Sequence, residues 1–204
     1  MASTAALAPR KAPAQARSRA TQAAIVEAAA RVVAARGLAG FTTNAVAERA
    51  GVSIGSLYQY FPNKDALMLA LIERQQAHQA DRLEAAAGLL ERAGLPDAVR
   101  ALVRAAMQHH RDDALLASAI DHEEARLPAQ AAIDAALARG GEVIAMMLRR
   151  HADAVGPLDP ARAARTLPAL VRGVVDAWAN LAEPDLAAAE DEAVRAVLGY
   201  LRHG

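Results

Sequence analysis

Cysteine is absent from the 204-residue sequence, which excludes disulfides, thiolate metal ligands and a cysteine nucleophile, and agrees with a reducing compartment. Aromatic residues are scarce at 3%. Sheets favour aromatic and β-branched side chains, whereas the abundant alanines here favour helices packed closely through small residues, so the expected fold is all-α. No stretch reaches the roughly eighteen continuous apolar residues of a membrane span, and MASTAALAPRKAPAQARSR at the start has no apolar core of signal-peptide length. The expectation is a chain with no membrane partner that resides in the cytoplasm.

Net charge is absent too, at +0 overall, but its distribution is uneven. Residues 1–64 hold eight Lys/Arg (Arg10, Lys11, Arg17, Arg19, Arg31, Arg36, Arg49, Lys64) against Glu27 and Glu48, a net of +6, so the remaining 140 carry −6. A basic head on an acidic body is the pattern of a polyanion-binding module attached to something else.

Residues 1–17 lack periodicity and are expected to form a disordered basic arm. A helical pattern runs from Ser18 through Ile25, Ala29, Val32 and Val33 to Gly37, which stands where a left-handed C-cap belongs. Thr42 or Thr43 can cap a short helix over Asn44 to Ala50 that stops at Gly51, and Ser53 can cap a second ending at Phe61. After Pro62-Asn63 a long helix is expected from Lys64 to about Arg92, with Asp65 in its favourable first turn. Amphipathic stripes follow at Val99 to Met107, Leu116 to Leu127 and Val143 to Leu148. Pro157, Pro160 and Pro184 delimit two last helices near 160–182 and 186–202. The expected division is arm 1–17, DNA-binding domain 18–64 and body 65–204.

The segment TTNAVAERAGVSIGSLYQYFPNKDAL, Thr42 to Leu67, carries the function. Two short helices joined through Gly51 make a helix-turn-helix, whose second helix enters the major groove. Val46, Val52, Leu57 and Phe61 fall where they lock the pair together. Ser53, Ile54, Gly55, Ser56, Tyr58, Gln59 and Tyr60 are left for the outer face and helix start.

With RATQAAIVEAAARVVAARG ahead of it, this string resembles the DNA-binding domain of the TetR family of regulators. Phe41, Thr42, Thr43, Val46, Ala47, Ala50, Gly51, Val52, Ser53, Gly55, Leu57, Tyr58, Tyr60, Phe61, Lys64, Asp65 and Leu67 all fit its spacing. The match spans about residues 18–68. The resemblance implies phosphate contacts from Thr42, Thr43, Tyr60, Lys64 and the backbone N–H groups at the two helix starts, which position the protein. It implies base contacts from Gln59 to an adenine edge, from Ser56, and from Ile54 or Tyr58 to a thymine methyl, with Gly55 allowing close approach. Arg17 and Arg19, read as lying just ahead of the first helix, can reach a phosphate or the minor groove.

The resemblance also implies a homodimer through the last two helices and a small-molecule effector in the body, with double-stranded operator DNA as partner. Leu167, Leu170, Val171, Val174, Val175, Trp178 and Leu181 line one of those helices and Val194, Val197, Leu198 and Leu201 the other, as an intersubunit bundle requires, although the stripes can also face their own subunit. A two-fold axis would space the recognition helices about 34 Å apart. For the effector the candidates are Met107, His110, Glu123 and Trp178, with pairing of His110 to Glu123 as the structural alternative. His109, His110, Asp112, Asp113, Asp121, His122, Glu123 and Glu124 form a nitrogen- and oxygen-rich cluster of the kind a metal-dependent enzyme uses. Adjacent histidines on a helix diverge by about 100° and no HExxH pair is present, so neither metal, cofactor nor catalysis is expected. An architectural DNA-binding dimer without effector is the remaining alternative.

Overall fold

The computed structural model describes residues 16–88, 93–179, 181 and 185–203. The described residues form nine α-helices with no strand: α1 Ala16–Gly40, α2 Thr43–Ala50, α3 Ile54–Tyr60, α4 Lys64–Ala87, α5 Leu95–Asp112, α6 Ala114–Glu124, α7 Gln130–Arg150, α8 Pro160–Ala179 and α9 Leu186–His203. The all-α expectation holds. The helices fall into two compact units, one comprising residues up to Gln75 with Asp113–Ala132, the other Gln76–Asp112 with Ile133–Gly204.

In the first unit α1 packs on α2 and α6, and α2 on α3. The apolar positions of α1 recur at helical spacing, and Ile25, Val26, Ala29, Val32 and Val33 are all buried. Phe41, Val46, Leu57, Phe61, Leu67, Met68, Leu71 and Ile72 complete the core. Each large apolar side chain so enclosed contributes about 1.5–3 kcal/mol relative to exposure.

Gly37 is not the expected left-handed C-cap: its φ of 61° comes with a ψ of −171°, which kinks α1, and another helical turn follows it as far as Gly40. There a Cβ would lie 2.3 Å from Arg36 Cβ, so only glycine fits. The helix also starts two residues earlier than expected, at Ala16. Arg17 and Arg19 therefore lie within α1 rather than ahead of it. The expected arm otherwise lies outside the described residues.

The second unit encloses a core from α5, α7, α8 and α9 that includes Val99, Leu102, Val103, Met107, Val143, Met147, Leu167, Val171, Val175, Val194, Val197 and Leu201. Small residues let α7 come close to its neighbours. A Cβ on Gly140 would meet Leu83 at 3.2 Å, and one on Gly141 would meet Ala164 at 3.4 Å. Pro168 sits inside α8, where it removes one backbone donor. The long α4 is described to Ala87, and its expected end at Arg92 lies outside the described residues. The last two helices match their expected limits closely.

Candidate nucleic-acid interface

Local chemistry builds the α2–α3 pair. Thr42 in extended conformation caps α2, its Oγ1 accepting from Ala45 N at 3.1 Å. Gly51 ends the helix at φ 67°, ψ 30°, a left-handed geometry that glycine adopts without a Cβ penalty. The Val52 N–H donates back to the Ala47 carbonyl at 3.0 Å, which fixes the turn. Ser53 then caps α3, accepting from Ser56 N at 3.1 Å, with its hydroxyl 2.9 Å from that of Ser56. Asn63 caps α4 through Oδ1, which accepts from Ala66 N at 2.8 Å.

These caps aim α3. Leu57 and Phe61 are fully buried beneath it, while Gly55 and Gln59 are exposed and Ile54 and Tyr58 remain 38% and 40% exposed. Ile54 and Tyr58 are thus large side chains left on the outer side of a short helix above a well-filled core. Ser56 and Tyr60 are half-buried at its margin.

The hydroxyls around α3 are tethered to other helices. Tyr58 OH lies 3.2 Å from Thr43 Oγ1, which ties α3 to α2. Ser18 Oγ donates to Tyr60 OH at 3.3 Å, which ties α3 to the first turns of α1 and leaves the phenolic O–H able to donate outward. Lys64 Nζ stands 5.2 Å from the centre of the Phe41 ring, within cation–π range. Among the described residues, Arg17, Arg19, Arg36, Arg49 and Lys64 form no ion pair. Thr42, Thr43, Ser53, Ile54, Gly55, Ser56, Tyr58, Gln59, Tyr60 and Lys64 thus occur on one contiguous stretch of sequence, with Ser18 brought to it by α1.

Ser18 and Asn63 were not anticipated as site residues. Asn63 carried a legible signal, a capping residue before an acidic first turn. Ser18 carried none, because its partner stands 42 residues away.

The body candidates scatter. Met107 is fully buried and Trp178 packs against the second unit's core. Glu123 is buried, but its carboxylate accepts from Arg126 Nε at 2.8 Å, and Arg126 also binds Asp65 at 2.6 Å. Arg126 thereby holds the Asp65 carboxyl below its ordinary range. Glu123 belongs to the first unit and His110 to the second. Members of the expected His/acid cluster are engaged locally: Asp112 accepts from Arg82 at 2.9 Å, and Asp113 caps α6 by accepting from Leu116 N.

A protein built this way is a DNA-binding regulator of the helix-turn-helix kind, with a helical body attached. The family described as "Bacterial regulatory proteins, tetR family" matches residues 25–71, and "Tetracyclin repressor-like, C-terminal domain" matches residues 94–201. The chain belongs to the TetR family of transcriptional regulators. Among solved structures, a TetR-family regulator from Mesorhizobium loti is 21% identical with a TM-score of 0.73, covering 92% of this chain and 98% of its own. FadR from Bacillus subtilis, in complex with stearoyl-CoA, is 20% identical with a TM-score of 0.69 over 88% and 99%. A TetR regulator from Rhodococcus is 24% identical with a TM-score of 0.65 over 92% and 98%. A search of curated protein sequences gave no match. None of the described helices is long and apolar enough to cross a membrane.

Proposed function

We propose that the protein is a homodimeric repressor that grips a near-palindromic operator with two copies of α3 and lets go when a small molecule occupies the body. The observation that supports the DNA half is the outward face of α3, with Ile54, Gly55, Tyr58 and Gln59 exposed above the buried Leu57. Gln59 reads an adenine edge, Ile54 or Tyr58 meets a thymine methyl, Ser56 makes a polar base contact and Gly55 permits close approach. Thr42, Thr43, Ser53, Tyr60 and Lys64 position the dimer on phosphates, and Arg17 and Arg19 add affinity from α1. In functional terms residues 18–64 are the DNA-binding domain and 65–204 the body, residing in the cytoplasm.

Dimerisation uses α8 and α9, where Leu170, Val174, Trp178 and Leu198 are only partly buried, and Leu181, beyond the end of α8 where a continuation of that helix was expected, is 51% exposed. The effector reading draws support from relatives that bind organic molecules. FadR holds stearoyl-CoA, and a multidrug-binding protein, EbrR, 25% identical with a TM-score of 0.60, is complexed with imidazole. Met107, His110, Glu123 and Trp178 remain the body's candidate contacts, Glu123 already bonded to Arg126. An effector acts only through differential affinity for the DNA-competent and released states. The test is operator affinity of the purified dimer across an effector library. Release by at least one compound supports the reading, and unchanged affinity with compounds demonstrably bound in the body rejects it.

A further inference from the structure

The seven residues of α3, Ile54–Tyr60, include no charged side chain. A guanine edge in the major groove offers two acceptors, and the side chains that match it are arginine and lysine. The head's cations stand on other elements: Arg49 is in the last turn of α2, and Lys64, at the start of α4, lies against the Phe41 ring. The recognition helix therefore meets the groove with amide, hydroxyl and carbon alone.

What α3 presents falls in rows, because residues four apart on a helix are neighbours on its surface. Ile54 and Tyr58 make an exposed row of carbon, and Gly55 and Gln59 make the exposed row beside it. Tyr58 OH lies 3.2 Å from Thr43 Oγ1 on α2. The phenol is thus engaged at its polar end, which leaves the ring carbons for the groove. Gly55 has no reason within the chain to be glycine. Its φ is not left-handed, and a Cβ there would meet nothing closer than Ser53 Oγ at 3.9 Å, an ordinary contact. Glycine inside a helix is destabilising relative to alanine, so the space next to Gln59 is kept open for something outside the chain.

We infer that α3 selects half-sites whose contacted base pairs are A·T: thymine methyls pack on Ile54 and the Tyr58 ring, and one adenine edge pairs with the Gln59 amide. This rests on the operator-binding reading above and adds the class of DNA sequence. Thymine alone among the four bases carries a C5-methyl in the major groove, and adenine sets an N6 donor beside its N7 acceptor, which the oxygen and nitrogen of one amide match together. Guanine sets two acceptors there and would leave the Gln59 amide oxygen facing another oxygen. Cytosine has no methyl and would leave the Ile54–Tyr58 row without a partner.

The test uses the full-length protein and the duplex it enriches from random DNA. Each thymine of that duplex is replaced in turn by uracil, which deletes the methyl and keeps the hydrogen-bonding edges. Loss of one contacted methyl should weaken binding about fourfold. Cytosine in place of that thymine should bind worse still, and 5-methylcytosine should recover about the same factor. Ile54→Ala and Tyr58→Ala should each erase the thymine–uracil difference at one position and leave it at the others. Replacing the contacted adenine by 7-deazaadenine should weaken the parent and not Gln59→Ala. Gly55→Ala should raise the denaturation midpoint while weakening the operator complex. The base replacements are made with the unaltered protein, so they decide the matter whether or not a variant folds. Equal affinity for thymine and uracil throughout, or a half-site weakened chiefly by 7-deazaguanine, overturns the A·T inference and leaves operator binding standing. Binding with no enriched sequence overturns both.

Discussion

The DNA-binding head pairs one of its described arginines, Arg31 with Glu27, whereas all three arginines of α5 are paired. Arg17, Arg19, Arg36, Arg49 and Lys64 form no ion pair among the described residues, although every one is near the helix-turn-helix in sequence. In the body, Arg100, Arg104 and Arg111 all reach the buried Glu190 carboxylate, at 3.2, 2.8 and 2.7 Å, and Arg139 binds both Asp81 and Glu84 at 2.7 Å. A cation matched by a carboxylate holds helices together; a cation without one is available to phosphate. Arg17, Arg19, Arg36, Arg49 and Lys64 are exposed, whereas the arginines around Glu190 tie α5 to α9.

The largest effect that could break this comparison lies at Glu190. Glu190→Ala removes the shared partner of three arginines that remain partly in solvent and should cost at most about 3 kcal/mol in chemical denaturation, while folded protein keeps the salt dependence of its DNA binding. A loss of DNA affinity without loss of stability would reverse the assigned roles.

Acid sharpens the contrast next. Burial lowers His109 to about 4 when folded against an ordinary 6.5, so the unfolded chain takes up its proton first. Its contribution is complete above about pH 6.5 and is lost as pH falls toward 4, by at most about 3 kcal/mol. Glu27, Asp65 and Glu190 are held low by their arginines, so their contributions are full above the ordinary carboxylate range and fade as pH falls through it toward the lowered folded values. His109→Asn should flatten the upper limb of a stability-versus-pH curve and spare the lower one.

Smaller effects separate roles inside the head. Gln59→Ala should alter preference at one position of each half-site by about 1–3 kcal/mol, measured on single-base operator variants. Ser18→Ala should weaken every site alike by about 0.5–1.5 kcal/mol through loss of the Tyr60 tether, with no further loss when Tyr60→Phe is already present. Arg49→Ala should leave stability within about 0.5 kcal/mol of the parent and change binding only through the slope of affinity against salt.

What could be read from the sequence was local. Thr42, Gly51 and Ser53 announce caps and a left-handed turn within three or four residues of their partners, and Leu57 and Phe61 announce a core by spacing. Glu190 with Arg100, Arg104 and Arg111, or Arg126 with Asp65, involve side chains 61 to 90 residues apart or so placed that no period betrays them. Glu123 is a related case: a carboxylate on an apolar stripe, read as a ligand contact or a partner of His110, also has a partner in its neighbour Arg126, three residues on. Arg17 was misplaced because α1 begins among alanines and arginines that carry no capping signal.

The most direct test of the central claim is selection of binding sites from random duplex DNA, followed by affinity for the winning sequence as a function of salt. The account predicts a near-palindrome with half-sites about one helical turn apart, and log affinity falling with log salt by about 0.9 for each phosphate contact. Salt-sensitive binding with no enriched sequence, or no binding at all, would contradict a base-reading face on α3.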